Sequence, residues 1–233
     1  PSLPAPERDF GKAIHAVLER LVDEHVEAQR VGPLSDARAV ALFQEEWGRA
    51  GLRGASMFGE GIEVLRRFVA EEGVLDFQAV LAVEKPFELT FGASDATDAM
   101  PDTPPHPGFK VVGFIDRIDR IGPDAIRVVD YKTYRNPPSR EEVDESLQLS
   151  LYALAVRHLY PWARHVELGF RMLRQGFPMM TTRTGAQLEA AERHFVAVGH
   201  AIEWEQDYAP SLTSLCGWCD YRASCDAYSE VVS

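Results

Sequence analysis

Between Gly113 and Thr133 the chain reads GFIDRIDRIGPDAIRVVDYKT, two runs of strand-forming residues joined at IGPDA, and no other segment restricts the fold as much. Side chains of a strand alternate between its faces. Val112, Phe114, Asp116 and Ile118 therefore share one face of the first strand, and Ile126, Val128, Asp130 and Lys132 share one face of the second. A turn centred on Pro123 sets Ile118 against Val128, Asp119 against Arg127, and Asp116 against Asp130. This register satisfies an apolar pair and an opposite-charge pair at once. It also puts two carboxylates about 5 Å apart, Cβ to Cβ, on an otherwise apolar face, where directly opposed like charges destabilise a sheet.

Two readings account for that pair. In one, the hairpin lies at a solvated edge and its charges face water. In the other, Asp116 and Asp130 offer hard oxygen ligands to Mg²⁺ or Mn²⁺, and Lys132 supplies a point charge for an attacking water or a developing oxyanion. The apolar company on the face, and a Lys two residues after Asp130, favour the second. Asp119 and Arg127, on the opposite face, read as a structural salt bridge.

The hairpin sits inside an alternation of elements. Residues 10–28 place Ile14, Val17, Leu18, Leu21, Val22 and His25 at helical spacing with Asp9 as the cap,. A second helix follows Ser35 to about Trp47, and a third spans about 56–72 on the stripe Val64, Leu65, Phe68 and Val69. The period then changes to that of strands over 77–91, and residues 93–108 form a Pro- and Asp-rich loop. After the hairpin, Ser139 and Glu142 make a capping box for a helix ending at Tyr160 before Pro161. Strands at 165–174 and 178–184 and a helix capped by Thr184 and Gln187 complete the core. The order predicts an α/β fold, a mixed sheet flanked by helices, in one domain: a helical part over 1–76, the core over 77–205 and a tail over 206–233.

At 233 residues, 45% hydrophobic and 26% charged, the chain suits one sizeable core. No apolar run nears the roughly 18 residues that span a membrane, and PSLPAPERDF lacks the regions of a signal peptide. The expectation is a cytoplasmic protein without a membrane partner. A net charge of -12 speaks against nucleic acid at first sight, but Lys110 to Arg183 carries 12 basic and 9 acidic residues, so the basic strip comprises the hairpin and the segment C-terminal to it. The 3 cysteines fall together as CGWCDYRASC, Cys216, Cys219 and Cys225, a clustering that favours metal ligation over disulfides. Three thiolates close neither a tetrahedral zinc site nor a [4Fe-4S] cluster, which usually take four.

GFIDRID followed by VVDYKT resembles motifs II and III of the PD-(D/E)XK nuclease superfamily, in particular the RecB-type exonuclease domain shared with the AddB nuclease and the CRISPR-associated adaptation nucleases. GKAIHAVLE resembles that family's helix with a metal-binding His, matched by His15, and QLSLY its Gln-x-x-x-Tyr motif, matched by Gln148 and Tyr152. The resemblance implies a restriction-endonuclease-like αβββαβ core and a metal-dependent DNA exonuclease acting on single-stranded DNA or ends in repair or recombination, with a helicase or another repair protein as partner. It implies Mg²⁺ or Mn²⁺ held by His15, Asp116, Asp130 and the Tyr131 carbonyl, catalysis by Asp116, Asp130 and Lys132, and support or DNA contact from Gln148 and Tyr152. Taken alone, His15 beside an apolar stripe also fits a buried neutral histidine, and Glu84 fits either a further carboxylate of the site or an exposed charge. The family's three C-terminal cysteines share the spacing seen here; its fourth lies upstream of the His helix, where this chain has none, so the fourth ligand of a cluster is not visible. The competing expectation is a non-catalytic module that binds DNA ends or a helicase and uses the cysteines for stability. The intact Asp116, Asp130 and Lys132 lean against it.

Overall fold

The computed structural model describes residues 5–93 and 107–228; most of the Pro- and Asp-rich loop lies outside them. Three helices come first, α1 (Ala5–Glu27), α2 (Asp36–Arg49) and α3 (Ala55–Glu72). Ser35 caps α2 by accepting from the Arg38 N–H, which satisfies one of the amides a helix start leaves open. Asp9, expected as the cap of α1, lies inside it instead, because the helix starts at Ala5. Two short strands that the sequence pattern did not reveal, β1 (Val31–Pro33) and β2 (Val74–Asp76), pair antiparallel and tie the helical segment together. His25 is buried, with its ring Nε2 3.0 Å from the Leu75 carbonyl, and so serves packing.

The main sheet has five strands in the order β3-β4-β5-β6-β7: β3 (Val80–Phe91), β4 (Phe109–Arg120), β5 (Ala125–Lys132), β6 (His165–Met172) and β7 (Phe177–Thr181). β5 and β6 run parallel and the other neighbours antiparallel, as a crossover through a helix between β5 and β6 requires. That crossover was expected as one helix and is two, α4 (Arg140–Asp144) and α5 (Leu147–Leu159). The Ser139 capping box forms, but Ser146 starts a new helix by accepting from the Leu149 N–H. The final helix α6 (Gly185–Trp204) carries the expected Thr184 capping box. A mixed sheet flanked by helices is the αβββαβ plan, with β7 added at one edge.

Two apolar clusters sandwich the sheet. One joins α1, α2 and α3 to the sheet through Phe10, Ile14, Leu18, Phe43, Leu65, Phe68 and Tyr131; the other lies under α5 and α6 and is built on Ile115, Ile118, Ile126, Val128, Leu168 and Met172. In the first, Phe43 stacks on Phe58 with ring centroids 5.5 Å apart. A Cβ at Gly61 would collide with the Phe43 ring. Phe43 is fully buried and has no room to retreat, so Gly61→Ala is expected to cost about 1–3 kcal/mol, read as a lower urea midpoint at unchanged m-value. A midpoint equal to the parent's would show that this cluster is loosely packed.

Candidate metal and nuclease site

β4 and β5 pair in the expected register, Ile118 with Val128 and Asp119 with Arg127. The ladder stops at Arg117–Val129, so Asp116 and Asp130 stand just beyond its last rung, where the strands fork. There the Asp116 carboxylate takes over from the backbone: its Oδ2 accepts the Tyr131 N–H at 2.7 Å. β5 continues beyond the fork beside β6, as far as Lys132 opposite Met172.

Strict alternation fails in β4. Ile115 and Ile118 both belong to the cluster under α5, whereas Asp116 lies 3.5 Å from His15 of α1 and Arg117 pairs with Glu72 of α3 at 2.7 Å. Two consecutive side chains thus leave on the helical side. The neighbouring strand shares the irregularity: Glu84, between the rungs Val83–Arg117 and Lys85–Ile115, has φ 44, a conformation uncommon for a residue with a Cβ. This reset lets the α5 face stay apolar while acidic groups reach α1. It also corrects the expectation that Asp116 shares a face with Ile118. The expected Asp119–Arg127 salt bridge does not form either. Arg117 Nε reaches Asp119 at 2.8 Å, and Arg127 turns to Glu167 at 2.8 Å.

His15 Nδ1 or Nε2, a Glu84 oxygen and an Asp116 oxygen lie within 4.8 Å of one another, and among the described residues they form the one group of three or more His, Cys, Asp or Glu side chains so convergent. Glu84 is therefore one of the three convergent side chains, and it is half-buried. Gly11 helps bring α1 in: a Cβ there would stand 3.0 Å from Thr133 Oγ1, and His15 follows one turn later on the same face. Arg8 and Lys12, at helical spacing from His15, line the same cleft with Lys132 and Tyr134. The 8, 12, 15 spacing was legible in the sequence and was missed.

The charges of this cluster conflict. Burial raises the Asp116 carboxyl to about 7, the neighbouring Asp130 adding to the effect; burial and Asp116 raise Glu84 likewise to about 7. Burial lowers the His15 imidazole despite Asp130 and the Tyr131 backbone, which favour its cation. A half-buried set of two carboxylates and a neutral imidazole that resist charging together is a donor set suited to a divalent cation.

Asp130 is only 2% exposed and is held from α5. Its Oδ1 accepts from Gln148 Nε2 at 2.8 Å and from the Tyr152 hydroxyl at 2.9 Å. Its Oδ2 lies 2.6 Å from Lys132 Nζ, and Lys132 also donates to Gln148 Oε1 at 3.0 Å. Burial works against the Lys132 ammonium, but Asp130 outweighs it and the net shift is upward. Gln148 thus grips the Asp130–Lys132 pair with both ends of one amide. It can do so because Gln148 and Tyr152 are one helical turn apart on one face.

The three thiols are free; Cys219 is exposed, Cys216 and Cys225 are half-buried, and Cys216 Sγ accepts the Thr213 N–H at 3.3 Å. They belong to no convergent ligand group among the described residues.

The PD-(D/E)XK nuclease superfamily matches the chain over residues 2–226. No curated protein matches it. Among solved structures, SSO0001 is 15% identical over 93% of this chain and 84% of its own, with a TM-score of 0.43. A protein from Eubacterium rectale described as a "putative exonuclease" is 10% identical over 86% of this chain and 78% of its own, with a TM-score of 0.35. Both likenesses are too distant to assign anything.

Proposed function

The chain belongs to the PD-(D/E)XK nuclease superfamily, and we propose that it hydrolyses DNA phosphodiester bonds with Mg²⁺ or Mn²⁺ at the β4–β5 fork, as a RecB-type exonuclease of single-stranded DNA or DNA ends in repair or recombination. The observation that carries this reading is the convergence of His15, Glu84 and Asp116 within 4.8 Å beside a clamped Asp130–Lys132 pair. His15, Asp116, Asp130 and the Tyr131 carbonyl would hold the cation, with Glu84 as a further carboxylate. A divalent ion so held makes water more acidic and neutralises charge on the scissile phosphate.

The protein groups have separate tasks. Lys132, kept cationic by Asp130, orients the attacking water and faces the charge that develops on the phosphoryl oxygens. Gln148 and Tyr152 fix Asp130 Oδ1, which leaves Oδ2 directed into the site. Gln148→Leu breaks that grip on both Asp130 and Lys132, and roughly a 10–100-fold loss of Mn²⁺ affinity or of cleavage rate is expected. Calorimetric titration with Mn²⁺ together with an end-labelled cleavage assay reads both. Unchanged values in both would remove Gln148 from the site.

In this proposal residues 1–233 act as one nuclease domain in the cytoplasm, working beside a helicase or another repair protein. No described helix is long and apolar enough to cross a membrane. Cys216, Cys219 and Cys225, by their spacing, would bind a [4Fe-4S] cluster or zinc that ties the tail to the rest of the chain, given a fourth ligand not visible here. Three thiols alone are one short. Anaerobic purification with iron and zinc analysis tests this, and a preparation with neither metal would leave the cysteines structural.

A further inference from the structure

Phe114 is 59% exposed and Val112 68% exposed on the part of β4 beyond the fork, where the strand pairs with β3 alone. They are not spillover from a full core. The alternate residues Val111 and Ile115 enter the cluster under α5 and α6, and Gly113 leaves room there for the Phe87 ring. Phe114 pairs with Pro86 across the ladder. Asp116 comes two residues later, about 7 Å along the strand, on the same side of the sheet. Tyr134, 40% exposed, lines the cleft itself, two residues after Lys132, whose Nζ lies 5.7 Å from its ring centroid. Two accessible aromatic rings are thus each two residues from a charged residue of the site, Tyr134 in the lining of the cleft and Phe114 outside it along β4.

The charges at the cleft point to the occupant. Arg8, Lys12 and Lys132 line it, but so do Glu7, Glu19, Glu84 and Asp116, in a chain of net charge -12. Phosphate attraction of the usual kind is nearly cancelled there, so a strand that stays long enough to be cut needs a further hold. Unpaired bases offer one: every base has a π-face that stacks on Phe or Tyr, whatever its identity. Bases inside a duplex are already stacked on one another.

We propose that Phe114 and Tyr134 stack the bases on either side of the phosphate at the cleft and so select single-stranded DNA, Phe114 being the principal platform. This rests on the nuclease reading above for the position of the phosphate, but the stacking can be measured without any cleavage.

The test uses fluorescence anisotropy in EDTA with labelled dT12, its abasic analogue of equal charge, and a 12-base-pair duplex. The parent is expected to bind dT12 roughly 10-fold more tightly than the abasic strand. Phe114→Ala should reduce that preference to about 3-fold or less and Tyr134→Ala should reduce it further, whereas Phe114→Trp keeps it. Phe114 is exposed, so its loss should leave the thermal midpoint unchanged, which separates stacking from unfolding. Equal binding of dT12 and the abasic strand by the parent would overturn the proposal, as would Phe114→Ala that keeps the full preference, the latter assigning the patch to some other partner. A cleavage assay on the same samples separates the two ideas: cleavage without base preference sinks the stacking alone, and base preference without metal-dependent cleavage sinks the nuclease reading alone.

Discussion

Lys132→Ala will lower metal-dependent DNA cleavage by roughly 10²–10³-fold while the chain still binds a divalent cation. The ammonium is 14% exposed and lies 2.6 Å from Asp130 Oδ2, so it is desolvated, held, and poised beside the carboxylates of the fork. A charge fixed in place before the reaction needs no reorganisation during it, which makes its removal costly to the rate. The convergent His15, Glu84 and Asp116 side chains are not removed by this change; of the proposed ligands only Asp130 loses a direct partner. Asp116→Ala and Asp130→Ala should differ from it in kind, losing both cleavage and cation affinity. Stability offers a second signature. Without Lys132, Asp130 stays buried and lacks its counter-charge, so the metal-free variant should melt lower than the parent, and Mn²⁺ should raise its midpoint by more than it raises the parent's. Cleavage of an end-labelled strand and melting with and without Mn²⁺ measure both. Wild-type cleavage by Lys132→Ala would contradict the role assigned here.

The largest effect on stability is expected behind the site. Arg117 is 4% exposed and holds Glu72 at 2.7 Å and Asp119 at 2.8 Å. Burial opposes its charge, but Tyr131, Asp119 and Glu72 outweigh burial and the net shift is upward. Asp119, for its part, is raised by burial in spite of Arg117. Arg117→Ala would remove the cation that holds Glu72 and Asp119 together, leaving only the more distant Arg127 and Arg171 in the lining of that cavity, at a cost of about 3–5 kcal/mol. Since Tyr131 packs against Phe68 in the same place, centroids 5.6 Å apart, part of the damage should reach the strand end that carries Lys132. Urea unfolding reads the loss directly. Arg127→Ala is the control: its pair with Glu167 is about 40% exposed on both sides, and such pairs are worth little. Equal effects of the two variants would show that the buried network contributes nothing particular.

Those two arginines also mark where the sequence stopped being readable. The register of the β4–β5 hairpin follows from local information, since the Pro123 turn and the demand for apolar and opposite-charge pairs fix it together. Helix starts at Ser35, Ser139 and Thr184 were legible for the same reason, each cap being a bond between residues three apart. The partner of Asp119 was not, because Arg117 and Arg127 both neighbour it and the choice between them depends on Glu72, a residue brought in by α3. The break in alternation at Asp116–Arg117 depends in turn on the backbone of Glu84 in the adjacent strand. Glu84 itself could be either an exposed charge or a member of the site until α1 and β3 were placed together. Asp116, Asp130 and Lys132 stand out from the alternation of the hairpin, and His15, Gln148 and Tyr152 from the resemblance to the family's motifs; contacts in the structure link His15 to Asp116 and the other four to one another. The break between α4 and α5 was within reach, for Ser146 is an ordinary capping residue hidden in a stretch that otherwise reads as one helix.

Everything proposed for the fork of β4 and β5 depends on its holding a divalent cation. Crystals soaked in MnCl₂ and measured at the manganese absorption edge test it without reference to any substrate. An anomalous peak within bonding distance of His15, Asp116 and Asp130, lost in Asp116→Ala crystals, is the result expected. A Mn²⁺ peak elsewhere with none at the fork, or a fork peak that survives Asp116→Ala unchanged, would contradict it.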